Sequence, residues 1–358
     1  MKFPVMKTLM VVACAGILSG SALAAYKQEY KLSVVPGASS GWGQTAAFFA
    51  DLVKEKTNGR VNIKPYYGAQ LMAGKQTSEL LLVRRGAIDF AVASTINWSP
   101  QIKELNLTAL PFFVAHNPDR YKAMDAILAG KSGKMLENAI EKTGVKFIGW
   151  SENGFRELSS SKGPLTTPDD FKGKKLRVCG TPIFVDIFTA LGANPQAINW
   201  SEAVTAFQQG VVDGQENPTN GINIPSKVWT WHQHATDWHY MIDPLFITAN
   251  GKVWKEFSKE DQQAILEAAK EAEKYGKALS RVGLDDGSAL KYLQSINKVP
   301  EITDPYGYME SKGMKVTKYT PEMIEVFYKA TAPVREKWTK NIGPDLVAAA
   351  EEDMKSAK

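Results

Sequence analysis

Three short segments in the middle of the chain carry the side chains best suited to binding an anion. They are Gly154–Leu158, Lys174–Val178 and Asp213–Pro218. Arg177 lies in an apolar, strand-like stretch, where a buried guanidinium is costly unless an anion meets it. A planar guanidinium fork matches a carboxylate with two parallel hydrogen bonds. These segments therefore predict a site for a small organic acid.

Two further groups could share that anion with Arg177. Arg156 follows an apolar strand pattern and would supply a second cation, while Asn217 lies in a turn-like segment and would supply an amide donor. The alternative is structural. Arg177 could instead pair with an acid of the chain, Glu216 or Asp213, since ion-pair networks also bury arginines. The residues alone leave both interpretations open.

Two loops that follow predicted strands present polar groups beside a tryptophan. Loop 36–42 follows the first strand, and loop 94–98 follows the third. Ligands of parallel sheets gather at the carboxyl ends of the strands, and small-molecule pockets combine apolar walls with a few polar groups. We therefore predict that Trp42, Asn97 and Trp98 contact the ligand, with packing in the core as the alternative for each tryptophan.

The three central segments, in this order and spacing, resemble the substrate-binding proteins of TRAP transporters, the DctP-like family, and the similarity extends over nearly the whole chain. The resemblance implies that Arg177 forms the main salt bridge to a ligand carboxylate. It also implies that Arg156 adds a contact and that Asn217 hydrogen-bonds the same group. Gln76 lies near a position where many relatives carry an acid. We include Gln76 and His239 among the predicted ligand-binding residues.

Strands and helices alternate along the chain in the order expected for parallel strands with crossover helices. With 358 residues, the chain exceeds what one small core organises. We predict an α/β fold of two lobes, of the periplasmic-binding-protein type, joined by a hinge of crossing strands. Lobe I comprises 25–154 and about 243–282, and lobe II comprises 155–242 and about 283–358. A helical pattern over about 259–293 predicts a long helix that spans both lobes.

The N-terminal segment predicts export. Lys2 and Lys7 precede an apolar run, Leu9–Leu18, and a small-residue cleavage motif ends at Ala24. Residues 1–24 therefore fit a secretory signal peptide, and we predict a periplasmic protein. Loss of this segment lowers the formal net charge from +5 to +3, because it holds two lysines and no acids. A formal net charge of +3 is too small to indicate a nucleic-acid partner.

Motifs of enzymes and metal sites receive little support. The pattern G-x-S-x-G at 37–41 has only one strand before it, where a hydrolase needs an earlier sheet. The pattern G-x-G-x-x-A at 41–46 lacks the downstream acid that would hold a ribose. His232, His234 and His239 lie close in sequence without a cysteine or an acid-rich partner beside them. We predict no catalytic residue, no metal and no cofactor.

Together these features predict a periplasmic receptor that closes around a small organic anion and delivers it to TRAP membrane permease subunits, acting as a monomer. Closure is a population shift set by contacts made in the closed form. Two alternatives stay open: a receptor that passes the closed form to a signalling partner, and an α/β enzyme acting on a small carboxylic acid. The ligand stays open among hydroxy acids, aromatic acids, sugar acids, dicarboxylates and sulfonates.

Overall fold

The computed structural model describes residues 26–357, and the predicted signal peptide, 1–24, lies outside this range. The described part contains ten strands. They are β1 (Tyr30–Ser33), β2 (Ile63–Tyr66), β3 (Phe90–Ser94), β4 (Val145–Ser160), β5 (Lys175–Val178), β6 (Asn194–Ala197), β7 (Gly214–Pro218), β8 (His234–Thr236), β9 (Ile242–Asn250) and β10 (Lys315–Thr317).

Fourteen α-helices accompany these strands within the same residues. They are α1 (Gly41–Lys56), α2 (Glu79–Arg85), α3 (Thr95–Trp98), α4 (Arg120–Ala129), α5 (Lys131–Glu141), α6 (Pro182–Ala190), α7 (Trp200–Gln208), α8 (Gly251–Glu256), α9 (Lys259–Arg281), α10 (Ser288–Ser295), α11 (Pro305–Ser311), α12 (Pro321–Ala330), α13 (Ala332–Ile342) and α14 (Pro344–Lys355).

The ten strands form one continuous sheet. Along its main path the strand order is β2-β1-β3-β9-β4-β7-β5-β6, while β8 pairs with β4 and β10 pairs with β8. Parallel pairs join β1 to β2 and β3 at one end of the sheet. At the other end, parallel pairs join β5 to β6 and β7. This mixture of parallel units and crossover helices confirms the predicted α/β fold.

Strands β4 and β9 connect the two ends of the sheet. Residues 145–155 of β4 pair antiparallel with β9, whereas residues 156–160 pair with β7. The register between β4 and β9 shifts from Glu152 to Gly154, and Gly154 has a φ of 110°. Such a bulge bends a strand, and glycine adopts this backbone angle without steric cost. The sequence pattern placed Arg156 after an apolar strand, whereas Arg156 lies within β4, in the part that enters the second half of the sheet.

The longest helix of the described residues, α9, begins after Ser258, whose hydroxyl accepts a hydrogen bond from the backbone N–H of Asp261. It ends at Arg281, short of the predicted end near residue 293. Gly283, at a φ of 73°, turns the chain just past the end of the helix. The remainder of the predicted segment forms α10, which packs against α9.

Gly276, in the interior of α9, allows this helix to approach β4 and α1 closely. A Cβ at this position would lie 2.2 Å from Ser151 Oγ and 2.7 Å from Thr45 Oγ1. Both of these side chains are buried and have little room to move. The absence of a side chain at residue 276 therefore sets how closely α9 lies against the strand that crosses between the two halves of the sheet.

The C-terminal helices cover the second half of the sheet. Phe327 on α12 and Trp338 on α13 are buried. Phe327 stacks on Phe112 with ring centroids 6.0 Å apart and packs edge to face on Trp238 at 5.3 Å. Within residues 26–357, no helix has both the length and the apolar character needed to cross a membrane.

Gly276→Ala should destabilise the fold by about 1–3 kcal/mol, because the added methyl group overpacks the contact with β4 and α1. At an unhindered helical position the same change would stabilise a protein by about 0.5–1 kcal/mol. Urea unfolding of wild type and variant measures the difference. Gly37→Ala is the control, since a Cβ there meets no atom within 4 Å. A Gly276→Ala variant as stable as wild type would contradict this account of the close approach.

Candidate ligand-binding site

A cavity lies where the carboxyl ends of the parallel strands from the two halves of the sheet face each other. This is the position at which α/β sheets bind ligands. Six of the eight predicted ligand-binding residues line the cavity, whereas Trp98 and His239 do not. The six are Arg177, Arg156, Asn217, Trp42, Asn97 and Gln76.

Arg177 presents a buried guanidinium to this cavity without a carboxylate partner among residues 26–357. Its place on β5, between Leu176 and Val178, keeps the side chain 1% exposed. The Nε–H donates to the carbonyl oxygen of Ile198 at 2.9 Å, while one terminal nitrogen is buried without any hydrogen-bond acceptor. The guanidinium carbon lies 5.6 Å from the centre of the Trp200 ring. The carbonyl of Ile198 therefore holds the side chain at its Nε edge. The terminal nitrogens can donate hydrogen bonds to an anion.

Neither acid named in the structural alternative for Arg177 pairs with it. Glu216 bonds to Arg156 instead. Asp213 accepts a hydrogen bond from the backbone N–H of Lys175 at 2.9 Å, at the start of β5. An internal ion pair of Arg177 with either acid is thus absent from the described structure.

Arg156 lines the same cavity, but acids of the chain already neutralise it. Its Nε and one terminal nitrogen bond to the two carboxylate oxygens of Glu216, the latter at 2.7 Å. The other terminal nitrogen donates to Asp243 Oδ2 at 3.2 Å. Burial alone would lower the pKa of Arg156, but Glu216, Cys179 and Asp243 together outweigh burial, and the pKa is raised well above its usual value. Arg156 therefore differs from the free second cation that the sequence suggested.

Asn217 is oriented by the neighbours of Arg156. It lies on β7, directly across from Glu157 of β4. Its side-chain oxygen accepts a hydrogen bond from Arg156 at 3.1 Å, and its side-chain nitrogen contacts Gln215 Oε1. An amide nitrogen carries two hydrogens, so a second donor remains beside the cavity.

Trp42 forms an apolar wall of the cavity near the start of α1. Its indole Nε1–H donates to the backbone oxygen of Val92 at 2.7 Å, which fixes the ring plane. Ser40 caps the helix, because its hydroxyl accepts a hydrogen bond from the N–H of Gly43 at 2.9 Å. The ring is 3% exposed and therefore faces the cavity without reaching bulk solvent.

Gln76 and Asn97 link the first half of the sheet to the second. The Gln76 side-chain nitrogen donates to Asn97 Oδ1 at 2.7 Å. The Gln76 side-chain oxygen accepts from the backbone N–H of Trp200, the first residue of α7, at 2.8 Å. A second link joins Thr181 Oγ1, which donates at 2.8 Å, to the backbone oxygen of Ile96. These contacts hold the cavity walls of the two halves together in a closed arrangement.

Trp98 lies in the core instead of the cavity. Consecutive residues of the short helix α3 point in different directions, so Asn97 faces the cavity while Trp98 turns away from it. The Trp98 ring is fully buried and packs edge to face on Phe246 at 5.0 Å. Its Nε1–H donates to Glu79 Oε2 at 3.0 Å. Trp98 therefore packs in the core, which was the alternative to contact with the ligand.

His239 also lies outside the cavity, in a buried polar cluster with Glu157, Asp237 and Arg120. Its Nε2 is 2.9 Å from Asp237 Oδ1 and 3.3 Å from Glu157 Oε1. Arg120 donates to Nδ1 at 3.1 Å, so the ring proton of neutral His239 belongs on Nε2.

Ligand atoms of Glu157, Asp237 and His239 lie within 4.8 Å of one another, a spacing that a metal ion could bridge. A metal at His239 Nε2 would displace the ring proton towards Nδ1, where the guanidinium of Arg120 already donates. Burial raises the pKa of Glu157 to about 7, so this carboxyl holds a proton more readily than an exposed one. The cluster thus favours shared protons over a cation.

Several cavity residues were not predicted from the sequence. Asp243 stands at the start of β9, and β9 returns beside β4 so that Asp243 lies opposite Gly154. This long-range pairing brings the acid to Arg156, and no local pattern signals it. Other unpredicted residues on the wall depend in the same way on chain crossing or on the approach of the two halves: Asn153, Cys179, Trp200 and Ile222.

Residues 32–341 match the profile of bacterial extracellular solute-binding proteins, family 7, also termed DctP. The chain belongs to this family. A solute-binding protein of Roseobacter denitrificans is 30% identical over 323 residues, which cover 87% of this chain and 88% of that protein.

Solved structures extend the relationship to the whole fold of this solute-binding protein. A TRAP periplasmic solute-binding protein from Ralstonia eutropha H16, with bound (S)-2-acetolactate, is 44% identical with a TM-score of 0.85 and covers 92% of this chain and 100% of that one. Another from Sulfurospirillum deleyianum, with bound succinate, is 29% identical with a TM-score of 0.77 and covers 92% and 99%. This protein is thus a TRAP-type solute-binding protein with the two-lobed α/β fold of these relatives.

Glu79, which holds Trp98, is a buried carboxyl whose hydrogen-bond partners are uncharged. It is fully buried and accepts hydrogen bonds from Ser33 Oγ at 2.6 Å and from Trp98 Nε1. Burial raises the pKa of Glu79 from the usual 4.5 to about 7. The folded state therefore binds this proton more tightly than the unfolded state, and the resulting stability is full below about pH 4.5 and lost as the pH rises through 7.

Glu79→Gln should remove this pH dependence. At pH 8 the variant should be more stable than wild type by up to about 3 kcal/mol, while the two should differ little at pH 4. Urea unfolding at the two pH values measures the effect. The exposed Glu310→Gln variant is the matched control and should follow wild type at both. A Glu79→Gln variant that parallels wild type across this range would show that Glu79 stays ionised in the folded protein.

Proposed function

We propose that this protein captures a small organic acid in the periplasm and delivers it to the membrane permease subunits of a TRAP transporter, without chemical turnover. The buried guanidinium of Arg177 at the cavity wall, which has no carboxylate partner among residues 26–357, carries this proposal. A charge held out of water at one fixed place favours a ligand that supplies the missing anion.

Arg177 would bind the ligand carboxylate through its terminal nitrogens. Its Nε is already occupied by the carbonyl of Ile198, which holds the fork in one orientation before the ligand arrives. Preorganisation of this kind reduces the entropy lost on binding. Asn217 would donate its remaining amide hydrogen to the same carboxylate, since both residues line the cavity.

The first half of the sheet would contact the rest of the ligand. Trp42 offers an apolar face, while Asn97 and Gln76 offer amide groups that already bond to each other. Since Gln76 also accepts from the backbone of Trp200, ligand contacts with Gln76 would strengthen a link that exists only when the two halves meet. Binding would thereby shift the population towards the closed form.

The ligand of the Ralstonia eutropha relative is the best candidate for this chain. That relative binds (S)-2-acetolactate, which is (S)-2-hydroxy-2-methyl-3-oxobutanoate, and shares 44% of the sequence. Its carboxylate, hydroxyl and methyl groups match a cavity that combines Arg177 with amides and with apolar walls from Trp42 and Ile222. We propose a short, branched 2-hydroxy acid of this type.

We further propose that residues 1–24 are removed on export and that the mature protein acts as a monomer. The family consists of periplasmic binding proteins, and the TRAP-type relatives support permease subunits as the partner. The lobe boundaries near residues 154, 242 and 282 remain part of this proposal. The bulge at Gly154 lies close to the first of them, which supports a hinge in β4.

Arg177→Ala should weaken organic-acid binding by at least tenfold, because a desolvated charge-assisted pair contributes about 2–5 kcal/mol. Arg177→Lys should also weaken it, since an ammonium group lacks the planar fork. Titration calorimetry with (S)-2-acetolactate, after a thermal-shift screen of organic acids, measures both effects. Arg85→Ala, at an exposed site on α2, is the matched control. Unchanged affinity in Arg177→Ala, or a wild-type protein that binds no acid of the screen, would contradict the proposal.

A further inference from the structure

The cavity wall and its immediate support contain two basic and two acidic side chains. Arg177 and Arg156 are basic, and Glu216 and Asp243 are acidic. Both acids bond to Arg156, and among residues 26–357 neither forms an ion pair with Arg177. The positive charge of Arg177 is therefore available to a ligand, whereas that of Arg156 is already paired with two carboxylates.

Arg156 and its two acids belong to a hydrogen-bonded network that a ligand cannot easily disrupt. Glu216 accepts a further hydrogen bond from Tyr240 Oη at 2.7 Å. Asp243 accepts from Ser94 Oγ at 2.7 Å and from Asn153 Nδ2 at 2.9 Å. Every one of these side chains is buried, so release of Arg156 would leave several polar groups without partners.

We infer that this site selects monocarboxylates against dicarboxylates, and that Asp243 is the residue that determines this specificity. The inference rests on the proposed function of the cavity and deepens it. A ligand of the favoured class has one carboxylate for Arg177 and an uncharged, branched body.

A second carboxylate in the cavity would meet Asp243 and no free cation. Two like charges about 6 Å apart at an effective dielectric constant of about 20 repel each other enough to change affinity by about 100-fold. The apolar walls near Val35, Ile96 and Ile222 offer a second anion no hydrogen-bond donor, so they would add a cost of desolvation. By contrast, they suit methyl groups.

The pKa of the Asp243 carboxyl is raised, which agrees with a cavity that disfavours a second negative charge. Burial raises the pKa, although Arg156 and the hydrogen bonds from Asn153 and Ser94 act in the opposite direction. Keeping Asp243 ionised therefore costs free energy, and a second negative charge nearby would increase that cost. A relative at 29% identity is known with bound succinate, so the family fold alone does not impose this selectivity.

The test compares two anions of the same shape by titration calorimetry at pH 7.5. (S)-2-Acetolactate and 2-hydroxy-2-methylmalonate differ where the acetyl methyl of the first is replaced by a carboxylate oxygen. Wild type should bind acetolactate about 100-fold more tightly. Equal or tighter binding of the malonate would overturn this inference and leave the proposed organic-acid receptor intact. If neither anion binds, the carboxylate site itself is overturned, and this inference with it.

Asp243→Asn tests the residue assignment. The asparagine oxygen can still accept from Arg156 and Asn153, and its nitrogen can donate to Ser94 Oγ, so the network is preserved while one negative charge is lost. The preference for acetolactate should fall by about tenfold or more, chiefly because the malonate binds better. Asp345→Asn, at an exposed position on α14, is the control. If the folded Asp243→Asn variant keeps the wild-type preference for acetolactate, Asp243 does not determine the specificity. If the variant does not fold, the wild-type comparison of the two anions tests the inference by itself.

Discussion

A guanidinium buried without a counter-ion is the constraint on which the binding site depends. Arg177 is 1% exposed, and one of its terminal nitrogens has no acceptor among the described residues. The desolvation of a charge costs several kcal/mol, so the fold must position this side chain at the expense of stability elsewhere. In the proposed function, an anion that enters the cavity would restore this energy, and the same interaction would account for both affinity and closure of the two halves.

The rest of the architecture keeps that charge free. Arg156 attracts Glu216 and Asp243, and these acids are thereby held away from Arg177. Strands β4 and β9 cross between the halves of the sheet and carry Arg156 and Asp243 to the same point. The two arginines therefore differ: Arg156 completes an internal network, and Arg177 is the one that we propose receives the ligand.

The sequence predicted the fold class and much of the cavity, because strand order and the carboxyl ends of parallel strands follow from local patterns. Trp42, Asn97 and Arg177 reach the cavity from such strand ends. Local patterns could not separate Arg156 from Arg177, since the difference depends on Asp243, which is distant in sequence. Similarly, Trp98 was misplaced because one step along a short helix turns a side chain from the cavity to the core.

A crystal structure of the mature protein with (S)-2-acetolactate tests the central claim most directly. We expect the ligand carboxylate to lie within hydrogen-bonding distance of both terminal nitrogens of Arg177, with Arg156 still bound to Glu216 and Asp243. A carboxylate bound elsewhere in the cavity, or an Arg177 side chain paired with an acid of the protein, would contradict the account.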